Sequence, residues 1–348
     1  EWYRQVLKQI GSLETQEHEK LASTHLNLGK VLESAGDWEP ARGQYDNALQ
    51  AAQTADDRSA TAWSQVALGE LCRKQGLFEE ALDWLEKACS TFEDIGDREG
   101  QAQVLQYKGN VAAQQAELDT AEGFFMESLA LQRELGNRES IAQLFNNLAI
   151  VAEYRGQFEE ALFLHKQALA LRRELGDQRW IGASLSNIGY MFLVQREYDS
   201  ARDNLVESVL LQRDIGDRWA MANALNNLGN VARETGNIAE ARDLYAESLI
   251  VFLSLQDPWS IAFLLEDVAR LIHVEGDAQT STRLVAAAKL LRNGFATPLP
   301  PIEQEALDDF TGQLEKDLGA AFGEIMEEEQ ALSADEALRL ALQLVSEP

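Results

Sequence analysis

Residues 217–256 read DRWAMANALNNLGNVARETGNIAEARDLYAESLIVFLSLQ, and this stretch decides the fold. After Asp217, the residues Ala222, Leu225, Leu228, Val231 and Ala232 recur at three- and four-residue spacing, as one face of a helix requires. Asp217 suits the helix start, where a short side-chain oxygen accepts from free backbone N–H groups. Gly236 ends the run, since glycine takes the left-handed conformation that closes a helix. A second amphipathic run follows through Ile238, Ala241, Leu244, Tyr245, Ser248 and Leu249; its counterpart in the preceding unit stops near Gly216.

The same reading recurs every 40 residues. Asp57, Asp97, Asn137, Asp177 and Asp257 repeat the helix start, with Pro258 at a first helical position where its missing N–H costs nothing. The first stop is Gly36, Gly76, Ala116, Gly156, Arg196, Gly236, Gly276, so strained or differently closed turns are expected at Ala116 and Arg196. Three columns are small throughout: Ala41, Ala81, Ala121, Ala161, Ala201, Ala241, Ser281; Ala48, Ala88, Ser128, Ala168, Ser208, Ser248, Ala288; and Gly29, Gly69, Gly109, Ala149, Gly189, Gly229, Ala269. Small side chains in register mean that helices approach closely at the same place in every unit. One hairpin cannot bury both of its apolar faces, whereas stacked hairpins can, and a fixed period of this size marks a solenoid. An all-α chain is expected, with seven 40-residue helix–turn–helix repeats over residues 17–294. Residues 1–16 resemble the end of a preceding helix (Trp2–Ile10), as in a piece of a longer protein. Residues 295–348 should form a helical cap, with helices near 302–317, 319–331 and 333–346, a break at Thr297–Pro301, and a capping box at Ser333 and Glu336.

Composition narrows the function. With 30 Lys+Arg against 58 Asp+Glu, the net charge of −28 repels phosphate backbones, so no direct nucleic-acid binding is expected. The charge serves solubility or draws a partner with a basic patch. No apolar run reaches membrane-spanning length, and the two cysteines, Cys72 and Cys89, form no disulfide framework or metal spacing. A cytoplasmic, reducing location without cofactors is expected, with Cys89 as a small core hydrophobe. No HExxH, phosphate loop or nucleophile elbow occurs, and His165 falls in the aromatic column of Tyr45, Phe125 and Tyr245, so no enzyme is expected.

Leu228, Gly229, Ala241, Tyr245 and Ser248 match the motif of the tetratricopeptide repeat, which the chain resembles at 40 residues per unit against the usual 34. Lys108 in the Leu column marks the poorest copy. The resemblance implies a right-handed superhelix, an α-solenoid with first helices lining the concave side. The phrase Gly216–Ala220 before Asn226–Gly229, and the tail from Arg283–Ala288 through Ala320–Phe322 to Leu332–Ala337, resemble the repeat sensors of signal-transduction ATPases with numerous domains, the STAND regulators. That resemblance implies a nucleotide-binding module elsewhere in the protein, contacting the repeats, and any ATPase activity would lie there.

The implied inner columns vary while the packing columns do not. They supply amides at Gln103, Gln106, Asn110, Gln143, Asn146, Asn223, Asn226 and Asn230, matched to the N–H and C=O groups of an extended chain. Trp63, Tyr154, Tyr190 and Phe263 can receive side chains, and Arg73, Lys74, Arg233 and Arg270 carboxylates. The expected partner is a protein or peptide segment, or a small inducer. The neighbouring column Asn27, Asn147, Asn187, Asn227 reads more readily as structural. Trp180, Trp219 and Trp259 either pack on the next unit or form an exposed aromatic strip. Two other readings stay open: an adaptor that assembles a complex, and a regulatory domain attached to a protease or other enzyme.

Overall fold

The computed structural model describes residues 18–293, 299, 301–328 and 334–346. They form 17 helices and, among the described residues, no strand. In chain order the helices are α1 (His18–Ser34), α2 (Trp38–Thr54), α3 (Arg58–Lys74), α4 (Phe78–Ile95), α5 (Arg98–Gln114), α6 (Leu118–Leu135), α7 (Arg138–Tyr154), α8 (Phe158–Leu175), α9 (Gln178–Val194), α10 (Tyr198–Ile215), α11 (Arg218–Glu234), α12 (Ile238–Leu255), α13 (Pro258–Val274), α14 (Ala278–Arg292), α15 (Pro301–Leu318), α16 (Ala320–Glu328) and α17 (Ala334–Ser346). The expected helix end at Trp2–Ile10, most of the Thr297–Pro301 break and Ser333 of the capping box lie outside the described residues. Two compact units make up the chain, residues 1–147 and 148–348, and the division falls within α7.

In the first unit α1–α2, α3–α4 and α5–α6 pack as hairpins, with α2 against α3 and α4 against α5. In the second, α9–α10, α11–α12 and α13–α14 do the same, with α10 against α11 and α12 against α13. First helices start on side-chain caps: Asp57, Asp97 and Asp217 accept from the backbone N–H groups of Ala60, Gly100 and Ala220 at 2.9–3.1 Å. Second helices have no such cap at Leu77, Glu117, Gln157 or Asn237. There the chain turns through a backbone closure, as where Asn237 N donates to Ala232 O at 2.8 Å.

That closure requires one left-handed residue per turn. Ala116 (φ 59°) and Arg196 (φ 60°) adopt it although they carry a Cβ, so these turns keep the common geometry at a cost of about 1 kcal/mol each. Asp56 (φ 56°) and Gln256 (φ 53°) do the same in the column that Gly96, Gly136, Gly176 and Gly216 otherwise fill.

The small columns are the helix contacts. Ala41, Ala81, Ala121, Ala161, Ala201 and Ala241 are all fully buried. Where serine replaces alanine, its hydroxyl is satisfied within the hairpin: Ser128, Ser208 and Ser248 donate to the carbonyls of Ala102, Gly182 and Ala222 at 2.7–2.8 Å. The expected core role of Cys89 is only partly met. It is half-buried, and it is Cys72 that is fully enclosed. Trp180 and Trp219 are exposed, and Trp259 is half-buried.

The tail is helical, close to the expected bounds. Helix α17 packs on α12, α13 and α14. Its Leu338, Ala341 and Val345 join Phe310 and Leu314 of α15 in one apolar cluster with the last two repeats, as a cap should.

Candidate functional site

In the first unit most of the expected inner-face residues already have partners. Trp63 packs edge-to-face on Phe92, ring centres 5.1 Å apart. Arg73 holds Glu70 through two bonds of 2.9 and 3.1 Å, Lys74 pairs with Glu33, and Asn110 accepts from Asn147 Nδ2 at 3.3 Å. The Gln103 side chain bonds to Tyr107. Gln143 is exposed and Asn146 half-buried.

Gln106 corrects the sequence reading. It is 1% exposed, and among the described residues neither its Oε1 nor its Nε2 has a hydrogen-bond partner. It lies in the core, out of reach of a ligand. A buried amide without partners costs about 1–3 kcal/mol relative to an apolar group of like shape. Gln106→Met should therefore raise the urea midpoint, by about 1 kcal/mol of stability. A lower midpoint would mean that the amide is satisfied.

In the second unit the structure gathers Asn226, Asn230 and Arg233 around one carboxylate that sequence reasoning passed over. Asp267 Oδ2 accepts from Asn226 Nδ2 at 2.8 Å and from Asn230 Nδ2 at 3.0 Å. Arg233 lies 3.6 Å from Asp267 Oδ1 and donates to Asn230 Oδ1 at 2.9 Å and to Tyr245 Oη at 3.2 Å. Burial works against the Arg233 charge, but Tyr245, Asp267 and Glu234 outweigh it and its pKa is raised. These three residues, expected to be open to a ligand, are committed to the repeat itself. A signal existed: Asp267 occupies the column of Asn147, and both reach a residue 37 positions earlier.

The remaining inner-face residues lie along α7, α9, α11 and α13. Asn223 donates to its own helix at Trp219 O, 3.1 Å away. Tyr154 and Tyr190 are half-buried; burial first, then the carboxylates of Glu303 and Glu153, raises both hydroxyls. Phe263 packs edge-to-face on Trp259, ring centres 5.4 Å apart, and lies under the Arg292 guanidinium at 4.1 Å. His165 is fully buried in the aromatic column, as expected, with Nε2 2.5 Å from Glu153 Oε1.

Arg270 is occupied by the tail. Its Nη2 donates to Ala306 O of α15 at 3.0 Å, and its guanidinium lies 4.5 Å from the Phe310 ring centre. His273 Nε2 is 2.7 Å from Asp317 Oδ2. Helix α15 thus crosses the inner face of the last repeat as well as capping its end, a placement that the apolar pattern of the tail did not disclose. Glu303 marks its start. Burial and then Asp267 push this carboxyl up to about 7, Arg292 opposing and Glu266 and Glu153 adding, while its buried Oε2 has no hydrogen-bond partner among the described residues.

Among the described residues no cluster of side chains suits a metal ion, and no helix is long and apolar enough to cross a membrane.

The family model of the tetratricopeptide repeat matches residues 2–94, 100–174 and 180–252. No curated protein matches. Among solved structures, the apo form of RapI is 14% identical, with a TM-score of 0.65 over 78% of this chain and 97% of that one. The Rap conjugation gene regulator of plasmid pLS20, in complex with the Phr* peptide, is 16% identical, with a TM-score of 0.63 over 82% and 78%. A STAND protein with a tetratricopeptide repeat sensor, PH0952 from Pyrococcus horikoshii, is 13% identical; its TM-score is 0.62 over 96% of this chain and 56% of that one. At these identities the likeness is one of fold. With paired helices, small residues at every crossing and a family model matching well over half its length, the chain belongs to the tetratricopeptide-repeat family.

Proposed function

We propose that this chain is the sensor or scaffold part of a larger regulator of STAND type, binding a protein or peptide segment along the inner faces of its repeats. One observation carries the reading. The inner columns change chemistry from repeat to repeat, as Gln103, Gln143, Ala183 and Asn223 do, while the packing columns stay small. Packing needs only the second kind of column, so the first is free to serve recognition. The Rap regulator solved with its Phr* peptide and the sensor-bearing STAND protein share the fold, which supports the reading by analogy. On this reading residues 17–294 are seven repeats and residues 295–348 their cap, and a nucleotide-binding module of the same protein contacts the repeats.

The test is capture of partners by the whole chain, followed by calorimetry. Gln103→Ala with Gln143→Ala removes two amides without touching the core, and should weaken a captured partner by about 1 kcal/mol or more. Unchanged affinity would remove the first unit's inner face from the proposal.

A further inference from the structure

Helix α15 is an unusual cap. Its sequence PIEQEALDDFTGQLEKDL carries six acidic residues and one lysine. Ala306, Phe310 and Asp317 recur at four- and seven-residue spacing and so share one face. That face meets Arg270 and His273 of α13. Arg270 takes the Ala306 carbonyl and the Phe310 ring, and His273 takes the Asp317 carboxylate and, edge-to-face at 5.6 Å, the same ring. The apolar part of the contact is carried by Phe310 and Leu314, which are buried, and Leu307, which is half-buried. The start of the helix is held poorly, since Glu303 lies among Asp267, Glu266 and Glu153, opposed only by Arg292, with a buried oxygen that has no partner among the described residues. Gly312, with open space around it, further weakens the helix as a rigid plug.

We propose that the Arg270–His273 face of the second unit is a docking surface for an acidic helical segment of a partner protein, with phenylalanine and a carboxylate seven residues apart, and that residues 301–318 hold this surface as a tethered competitor. The occupant already in place defines the chemistry: a carbonyl and an aromatic ring on one guanidinium, and a carboxylate on one imidazole. The competition follows from linkage, because a tethered segment lowers apparent affinity by the fraction of time it occupies the site. The inference rests on the reading that inner faces of this chain bind protein segments, and it adds the partner's class and the place.

The probe is a labelled peptide of residues 301–318, titrated into the whole chain by fluorescence anisotropy. Phe310→Ser with Asp317→Ala weakens the tethered helix and leaves the receiving face intact. This variant should bind the peptide at least about tenfold more tightly than the unaltered chain. Adding Arg270→Gln should abolish the gain, and a scrambled peptide should not bind. Equal affinity for the variant and the unaltered chain, or equal binding of the scrambled peptide, overturns the proposal. If the double variant loses helicity, Asp317→Ala alone should give about a threefold gain, and its absence is equally decisive. Native-state hydrogen exchange adds a ligand-free readout. Residues 303–310 should exchange well before α13, and exchange in step with α13 would make α15 a fixed cap. A peptide that fails to bind while captured partners engage other inner-face residues would overturn this inference and leave the broader sensor reading standing, whereas captured partners that ignore every inner face would sink both.

Discussion

Gly109→Val should destabilise the first unit by about 3 kcal/mol, seen as a lower urea midpoint with helicity retained in water. A Cβ at Gly109 would fall 2.6 Å from Phe125 Cδ1, and that ring is 1% exposed and has nowhere to move. The same clash recurs at Gly29 with Tyr45 and at Gly229 with Tyr245, while Gly69 and Gly189 face Leu85 and Leu205. The two repeats that carry alanine in this column, Ala149 and Ala269, carry His165 and Val285 sixteen residues later, in place of a phenyl or phenol ring. Glycine is therefore present wherever a phenyl or phenol ring is received, and it also stands opposite Leu85 and Leu205. Gly109→Ala combined with Phe125→Val should then cost less than the two changes added, by a coupling of about 1 kcal/mol. Strict additivity would mean that the two residues do not share a constraint.

The second large effect is on pH. Raising pH from about 5.5 to 8 should loosen α15 from the inner face, read as faster hydrogen exchange at residues 303–310 after correction for the intrinsic rate. The docked Glu303 carboxyl titrates near 7, against 4.5 when free. The docked state thus binds more protons between these values, and docking, fully favoured below about 4.5, is lost as pH rises through 7. The groups facing Glu303 are Asp267 and Glu266 on α13, Arg292 on α14, Glu153 and Tyr154 on α7, and Tyr190 on α9. A one-proton difference gives at most about a tenfold change per pH unit; Glu303 is only half-buried, and solvent at its open edge narrows the window and brings the change to a few-fold. Glu303→Gln should flatten the profile and tighten docking at pH 8. Asp267→Asn removes the strongest of the neighbouring carboxylates and should move the midpoint down. A profile that keeps its slope in Glu303→Gln would assign the titration elsewhere.

Much of the fold was legible because it is local and repeated. Helix starts at Asp57, Asp97 and Asp217, stops at the glycine columns and close crossings at the alanine columns each follow from a side chain acting on its own turn or on the hairpin beside it. The candidate site was legible only as a set of columns. Which face a column presents follows from helical period, but what its side chains hold does not. Asn226, Asn230 and Arg233 read as open polar groups because Asp267 is 34 to 41 positions away. Gln106 read as a groove amide because period alone does not separate an inner surface from the seam behind it.

The sequence by itself determined the hairpin, its 40-residue period and the small residues at each crossing, since these depend on contacts within one repeat or between neighbours. Only the tertiary structure decided that Asp267 ties up three of the expected ligand residues and that α15 lies across Arg270 and His273. Hydrogen bonds and ion pairs between distant positions leave no periodic mark, and a tail helix of ordinary amphipathic pattern fits an end cap and an occupied inner face equally well.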